Sequence, residues 1–331
     1  MEAKKSTHRV EVFEIQELLE HPNADRLQIV PIWNYRCIVG KDQFKPGDLA
    51  AYIVPDSMVP LDRPEFEFLK DRHKGKMVAR VRVAKFRGHI SQGLLVPAPE
   101  GSKPGDDVSE LLGVTRYEPP LDVATGGMTE KPPAIASTIP FYDVDDWHRY
   151  AEKLNIGEEV LITEKLNGSN ACYIFSEGRM WCKSRKQWVA NTEKSLWWAT
   201  LKFCPEIAKF CEEHPDVAVF GEAVGKVKNW KYGLGSEVKT YVFDIWQGHR
   251  FLDVDEAREL GKELPWAPEL YRGPYDPMKA KKLSDGESVL EGANHRREGI
   301  VIRPVKERRD SEIGRVQLKI VSDAALLKEK D

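Results

Sequence analysis

Lys165 closes a strand-like run, "EEVLITEK", and is followed by Asn167-Gly168-Ser169-Asn170 and a second apolar run, "ACYIF". A lysine placed like this can serve as a nucleophile if its amine sheds a proton near neutral pH. Neighbouring cations and partial burial both favour that loss. The same residues also spell an ordinary hairpin, because Asn-Gly is a strong two-residue turn signal. A second Lys-x-x-Gly, "KFRG" at 85–88, poses the same choice. Further chemistry-bearing groups follow Lys165 in order: "KSR" at 183–185, "VFGEA" at 219–223, "YVFDIW" at 241–246, "EGIVIRP" at 298–304 and "QLKI" at 317–320. Each is weak alone. Together they put two carboxylates, Glu222 and Glu298, and two cations, Arg185 and Lys319, on predicted strands or turns downstream of one lysine.

The elements that must position them fall into two parts. Residues 8 to about 112 read as all-β, with runs such as "HRVEVFEI", "LQIVPIW", "YRCIVG", "LAAYIV", "MVARVRVAKF" and "GLLVP" punctuated by "HPNAD", "KPGD" and "KPGDD". Short strands between such turns predict a small barrel. Residues 113–140 are rich in Pro, Gly and Thr and read as a linker or extended wrapping segment. The remainder mixes strands with helices, which makes that half α+β with largely antiparallel strands. "DVDDWHRYAEKL" predicts a helix capped by Asp143. "TEKSLWWATLKF" and "PEIAKFCEEH" predict helices parted at Pro205, and "SDAALLKEK" a closing one. The expected domains are 1–115, a linker 116–140, and 141–331.

Composition narrows the class. The chain has 331 residues, 41% hydrophobic and 31% charged, with net charge −3. No apolar run approaches the roughly 20 residues of a membrane span, and "MEAKKSTHRV" lacks the apolar core of a secretory signal. Cys37, Cys172, Cys182, Cys204 and Cys211 form no Cys-x-x-Cys pair, so they read as free thiols in a reducing, cytoplasmic setting. No coiled-coil pattern appears, and a monomer is expected. The net charge hides a basic run: Lys70, Arg72, Lys74, Lys76, Arg80, Arg82, Lys85 and Arg87 against Asp71 alone. In "MVARVRVAKFRG" cations alternate with Val and Ala, so one strand would line up Arg80 and Arg82 as a phosphate track. The competing reading is a solvated charged face.

The ordered groups from "EKLNG" to "QLKI" resemble the nucleotidyl motifs I, Ia, III, IIIa, IV and V of the covalent nucleotidyltransferases, the ATP-dependent polynucleotide ligases and mRNA capping enzymes. Asn170, two residues after Gly168, matches RNA ligases. "HPNADRL…KPGD" and "STIPFYDVDDW" resemble RNA ligases with an N-terminal OB domain, typified by Deinococcus and Naegleria enzymes. The resemblance spans nearly the whole chain. It implies an OB-fold barrel followed by an ATP-grasp-like nucleotidyltransferase domain, with ATP and Mg2+ or Mn2+ as cofactors. It implies a nucleic-acid substrate, a nicked duplex RNA or RNA/DNA with an RNA 3′-OH strand.

The resemblance also implies roles. Lys165 is the nucleophile on the α-phosphorus, and Lys319 the cation that holds the α-phosphate. Glu164 offers its backbone to adenine; Asn167 and Gly168 shape the loop beside the phosphate. Arg185 contacts the ribose or the substrate strand, Glu222 the ribose hydroxyls and the metal, and Phe243 stacks on adenine. Glu298 binds the metal, and Asn170 positions the nucleic-acid ends. Arg80, Arg82, Lys85 and Arg87 face nucleic acid. Arg185 as a surface arginine, Phe243 as core and Glu298 as a plain ion pair remain alternatives. Two departures stand out: Asn167 replaces the acidic residue of many relatives, and Gln317 replaces one of two lysines, a role that could pass to Arg315. The other readings are a nucleic-acid-binding protein with an inactive nucleotidyltransferase fold, a capping guanylyltransferase and a DNA ligase. The presence of Lys165, Glu222 and Glu298 opposes the first; domain order and Asn170 oppose the others.

Overall fold

The computed structural model describes residues 7–117, 128–226 and 230–328. Two compact units divide the chain, Met1–Pro120 with Leu326–Asp331, and Leu121–Ala325. In the first, short strands alternate buried and open positions, as Tyr35–Gly40 does, and so present one apolar face each. They are β1 (Glu11–Glu14), β2 (Leu27–Ile32), β3 (Tyr35–Gly40), β4 (Leu49–Ile53), β5 (Ser57–Pro60), β6 (Val78–Arg80), β7 (Ala84–Phe86), β8 (His89–Ser91) and β9 (Leu94–Pro97). β4 pairs antiparallel with both β1 and β9, β2 with β3, and β5 with β6. Two apolar clusters fill the unit, one around Val12, Phe66 and Leu112, the other around Ile32, Tyr35 and Tyr52.

The basic run is not one strand. Residues 64–73 form 3-10 turns. The chain then makes β6, leaves that sheet after Arg80, and re-forms as the separate β7–β8 hairpin. The break has a local cause. Asp56 is left-handed (φ 65°), and its amide and the Ser57 carbonyl capture both polar groups of Val81. Arg82 therefore does not share a strand with Arg80. Arg80 bonds Asp56 at 2.6 Å and lies over the Tyr117 ring at 3.9 Å, so it serves the unit's own packing. Lys85 and Arg87 are exposed on the hairpin.

The second unit is built on two sheets. Its strands are β10 (Glu159–Lys165), β11 (Ser169–Ser176), β12 (Arg179–Lys183), β13 (Ala218–Val224), β14 (Lys239–Gln247), β15 (Glu269–Pro274), β16 (Gly299–Pro304) and β17 (Leu318–Val321). One sheet has the order Asp145–Asp146, β17, β16, β10, β15; the other has Trp188–Val189, β12, β11, β13, β14, Arg250–Phe251. All neighbours are antiparallel except Asp145–Asp146 beside β17. That pairing keeps the backbone extended to Asp146, so the first helix, α1 (Trp147–Tyr150), is capped by Asp146 and not by Asp143. The cap is the Asp146 side chain accepting from the His148 amide at 2.8 Å.

Helices α2 (Leu196–Phe203) and α3 (Pro205–Glu213) cover one face of the six-stranded sheet, where Ile207 and Phe210 pack with Tyr173, Val219 and Val242. Each such side chain buried contributes about 1.5–3 kcal/mol. Sequence reading passed over three elements: β15, α4 (Val254–Leu260) and α5 (Pro277–Leu283). Both helices carry start signals, an Asp253/Glu256 capping box and Asp276 ahead of Pro277. Of the expected linker, residues 118–127 lie outside the described ones. From Met128 the chain follows a sheet edge, with the Ala190 amide donating to the Met128 carbonyl (2.7 Å) and the Glu130 amide to that of Trp188 (3.1 Å).

Candidate active site

β10 and β11 do not form a hairpin. Lys165 ends β10 in the five-stranded sheet, paired with Gly299, while Ser169 begins β11 in the six-stranded sheet, paired with Ala223. Leu166, Asn167 and Gly168 are the crossover between the two sheets. Neither Asn167 nor Gly168 is left-handed, as a tight Asn-Gly turn would require. Gly168 is needed for another reason: a Cβ there would lie 2.2 Å from the Ala223 carbonyl oxygen.

Side chains from distant elements hold the crossover. The Gly168 amide donates to Glu222 Oε1 at 3.0 Å, and the Asn167 amide to the Tyr232 hydroxyl at 2.7 Å. Lys165 Nζ donates to Glu298 Oε2 at 2.7 Å, and Glu298 is only 6% exposed. One partner of Lys165 is thus a carboxylate. Its amine becomes nucleophilic only when it leaves that pair unprotonated. Burial pushes the Glu222 carboxyl up to about 7. The Lys165 charge pulls the other way, and the Glu298 charge adds to the push.

The strand registers place the other predicted residues. Thr163, Val301 and Lys319 lie side by side across β10, β16 and β17, so Lys319 shares the face of Lys165. Asn170 sits opposite Glu222 on the facing sheet, and its carbonyl accepts from Trp197 Nε1 at 3.0 Å. Arg185 bonds Asp143 at 2.6 Å beside the exposed Phe141 ring. Phe243 is half-buried, 4.7 Å from the Tyr142 ring. The Glu164 amide donates to the Pro268 carbonyl (2.9 Å), so it is committed to the fold. The Glu164 side chain is 1% exposed; Oε2 accepts from the Val289 amide at 2.8 Å, whereas Oε1 has no protein partner among the described residues. A buried carboxylate oxygen in that condition suits a ligand N–H donor.

Arg315 does not replace the missing lysine. It bonds both oxygens of fully buried Asp244 (2.8 and 3.0 Å) and also Glu307. Arg303 pairs with the same Asp244. Gln317 is 3% exposed and bonds the Tyr142 hydroxyl, which donates to Asp244 at 2.5 Å. This cluster joins the two sheets at the base of the site. Sequence reasoning missed it, as it missed Tyr232, and it quoted Lys183 within "KSR" without giving it a role. Lys183 is 9% exposed on the Cys172 side of β12, and burial lowers its pKa.

Among the described residues no cluster of three or more metal-ligating side chains exists. The donors near Lys165 are the hard oxygens of Glu298 and Glu222. They fit Mg2+ or Mn2+, which are commonly held by one or two carboxylates together with substrate phosphates.

Residues 158–321 match the RNA ligase family, and residues 9–98 match the PHA02142 OB-fold domain. No curated protein matches the sequence. Among solved structures, the chain is similar to a Naegleria gruberi RNA ligase with PPi: TM-score 0.83, 23% identity, covering 98% of this chain and 99% of that one. It is equally similar to a lysine-to-alanine variant of that ligase with ATP and Mn (TM-score 0.83, 22% identity, 97% and 98% covered). A lysine-to-methionine variant with AMP and Mn gives TM-score 0.83 and 23% identity, with 98% and 99% covered.

Proposed function

Because residues 158–321 match the RNA ligase family and residues 9–98 an OB-fold domain, we propose that the chain is an RNA ligase that seals 3′-OH/5′-phosphate breaks with ATP, in nicked duplexes whose 3′-OH strand is RNA. The observation that carries this reading is the meeting of Lys165, Glu298 and Glu222 at one crossover between two sheets. The structures with ATP, AMP and Mn belong to a relative of the same fold and lend support.

Lys165 attacks the α-phosphorus, a nitrogen–phosphorus bond forms, and pyrophosphate leaves. AMP then passes from Lys165 to the 5′-phosphate of the break. Attack by the 3′-OH forms the phosphodiester and releases AMP. The Lys165 proton must go first, lost to solvent as the amine leaves its 2.7 Å pair with Glu298. Lys319 lies on the same face and offers charge to the α-phosphate. The open Glu164 Oε1 accepts from the adenine amino group, and Glu222 accepts from ribose hydroxyls through the oxygen that does not hold Gly168. Phe243 stacks on the base. A divalent cation held by Glu298, with Glu222 close by, would offset charge on the phosphates and on departing pyrophosphate. Asn170 and Arg185 meet the RNA ends, with Lys85 and Arg87 on the β7–β8 hairpin adding phosphate contacts. We assign the OB domain to 1–115, the linker to 116–140 and the ligase domain to 141–331.

Label transfer tests the reading. The protein is incubated with ATP labelled at the α-phosphate and a divalent cation, then denatured. Acid-labile label on wild type and none on Lys165→Ala is expected. Absence of label on wild-type protein that is not already adenylylated would overturn the reading in favour of a binding protein without ligase chemistry.

A further inference from the structure

Tyr232 lies 65 residues from Asn167 in sequence, yet its hydroxyl accepts the Asn167 amide at 2.7 Å. It is 1% exposed, and its ring packs with Leu166, Val224 and Trp230. One side chain thus grips the crossover twice, through the Leu166 side chain and the Asn167 backbone. Its own backbone is in a costly place, φ 51°, which residues with a Cβ seldom adopt. Gly233 follows at φ 71°, so close to Gly292 that a Cβ would lie 2.6 Å from its backbone. The His295 ring meets Tyr232 edge-on at 4.7 Å. Strain of this kind persists only where the surroundings enforce it, and it gathers at functional sites.

The two other anchors of the crossover are reactive groups. In the ligase reading, nucleotide and cation would draw Glu298 and Glu222 away from their present partners. Tyr232 is neutral, its pKa raised by burial, so its grip survives that change of charge. We infer that Tyr232 is a positioning residue that fixes the crossover after Lys165 and so sets the approach of the lysine amine during its own adenylylation. This deepens the ligase reading and rests on it.

The split between steps gives the test. Lysine adenylylation needs the aim of Lys165; sealing of a pre-adenylylated nick does not use its amine. In Tyr232→Phe the ring stays and the hydroxyl goes. Label transfer to Lys165 should slow about tenfold, or about 1.4 kcal/mol of barrier, with KM for ATP and the rate of sealing a pre-adenylylated nick within about twofold of wild type. Labelling at the wild-type rate, or both steps slowed alike, would overturn the inference. Amide exchange in unmodified full-length protein gives a reading that no variant can spoil. The Asn167 amide should be protected like its strand neighbours, and free exchange there would overturn the inference too. Failure of wild type to take label at all would instead defeat the ligase reading, with amide exchange still deciding the Tyr232 bond.

Discussion

Gly168→Ala probes the crossover most directly. The added Cβ would sit 2.2 Å from the Ala223 carbonyl oxygen and 3.0 Å from Val224 Cγ1. Ordinary contact needs about 1 Å more, and a backbone carbonyl inside a sheet cannot yield that distance. The crossover must move instead, stretching the 3.0 Å bond from Gly168 to Glu222 beyond hydrogen-bond range. Loss of a bond to a charged carboxylate costs about 1.5–3 kcal/mol, and the residual crowding about 1–3 kcal/mol. The variant should therefore lose about 2.5–6 kcal/mol of stability, centred on about 4, at pH 8, where Glu222 is ionised. For a unit of this size that lowers Tm by roughly 6–20 °C. The same displacement carries Lys165, three residues earlier. Misplacing a reacting group by about 1 Å costs on the order of a hundredfold in rate. Thermal unfolding and label transfer measure the two effects on one preparation. A variant with wild-type Tm and labelling rate would refute the argument that Gly168 is required by close approach.

Three other predictions follow from the same geometry. Glu222 binds its proton more tightly folded (about 7) than unfolded (about 4.5), so its contribution is a loss of roughly 3 kcal/mol as pH rises from about 4.5 to about 7, constant above. Glu222→Gln should flatten that part of a plot of unfolding free energy against pH, and parallel plots for the two proteins would count against the shift. Asp244→Asn leaves Arg303 and Arg315, 6% and 12% exposed, without their shared carboxylate; calorimetry should show about 3–5 kcal/mol lost, and a loss under about 1 kcal/mol would contradict the cluster's role. Replacing Lys85 and Arg87 together by Ala should lower the slope of log affinity against log salt by about 2 for duplex RNA, whereas Arg80→Ala should chiefly lower Tm; equal salt slopes for both would remove the hairpin from the binding surface.

The grouping of the candidate site was legible in sequence because its residues lie in short ordered groups on or beside strands. Lys165, Glu222 and Glu298 come together as those groups imply. What sequence could not supply is contact across long separations. The Tyr232–Asn167 bond and the cluster of Tyr142, Asp244, Arg303, Arg315 and Gln317 leave no local pattern. The latter includes Arg315, whose partner Asp244 is 71 residues away. The basic strand was misread for the opposite reason. Its alternation is real, but a left-handed Asp56 on the neighbouring turn diverts the backbone at Val81, and nothing within 77–88 signals it. Asp143 was a reasonable cap until pairing with β17 held Asp145 and Asp146 extended.

The crossover also limits how far the two sheets can part beside Lys165. From the Cα of Lys165 to that of Ser169 is four steps, at most roughly 14 Å of chain, whereas sheets packed face to face lie about 10 Å apart. The leash between the two sheets therefore has only a few ångströms of slack. Beside Lys165 the two sheets can part by no more than that slack, and the Asp244–Arg303 pair ties them a second time.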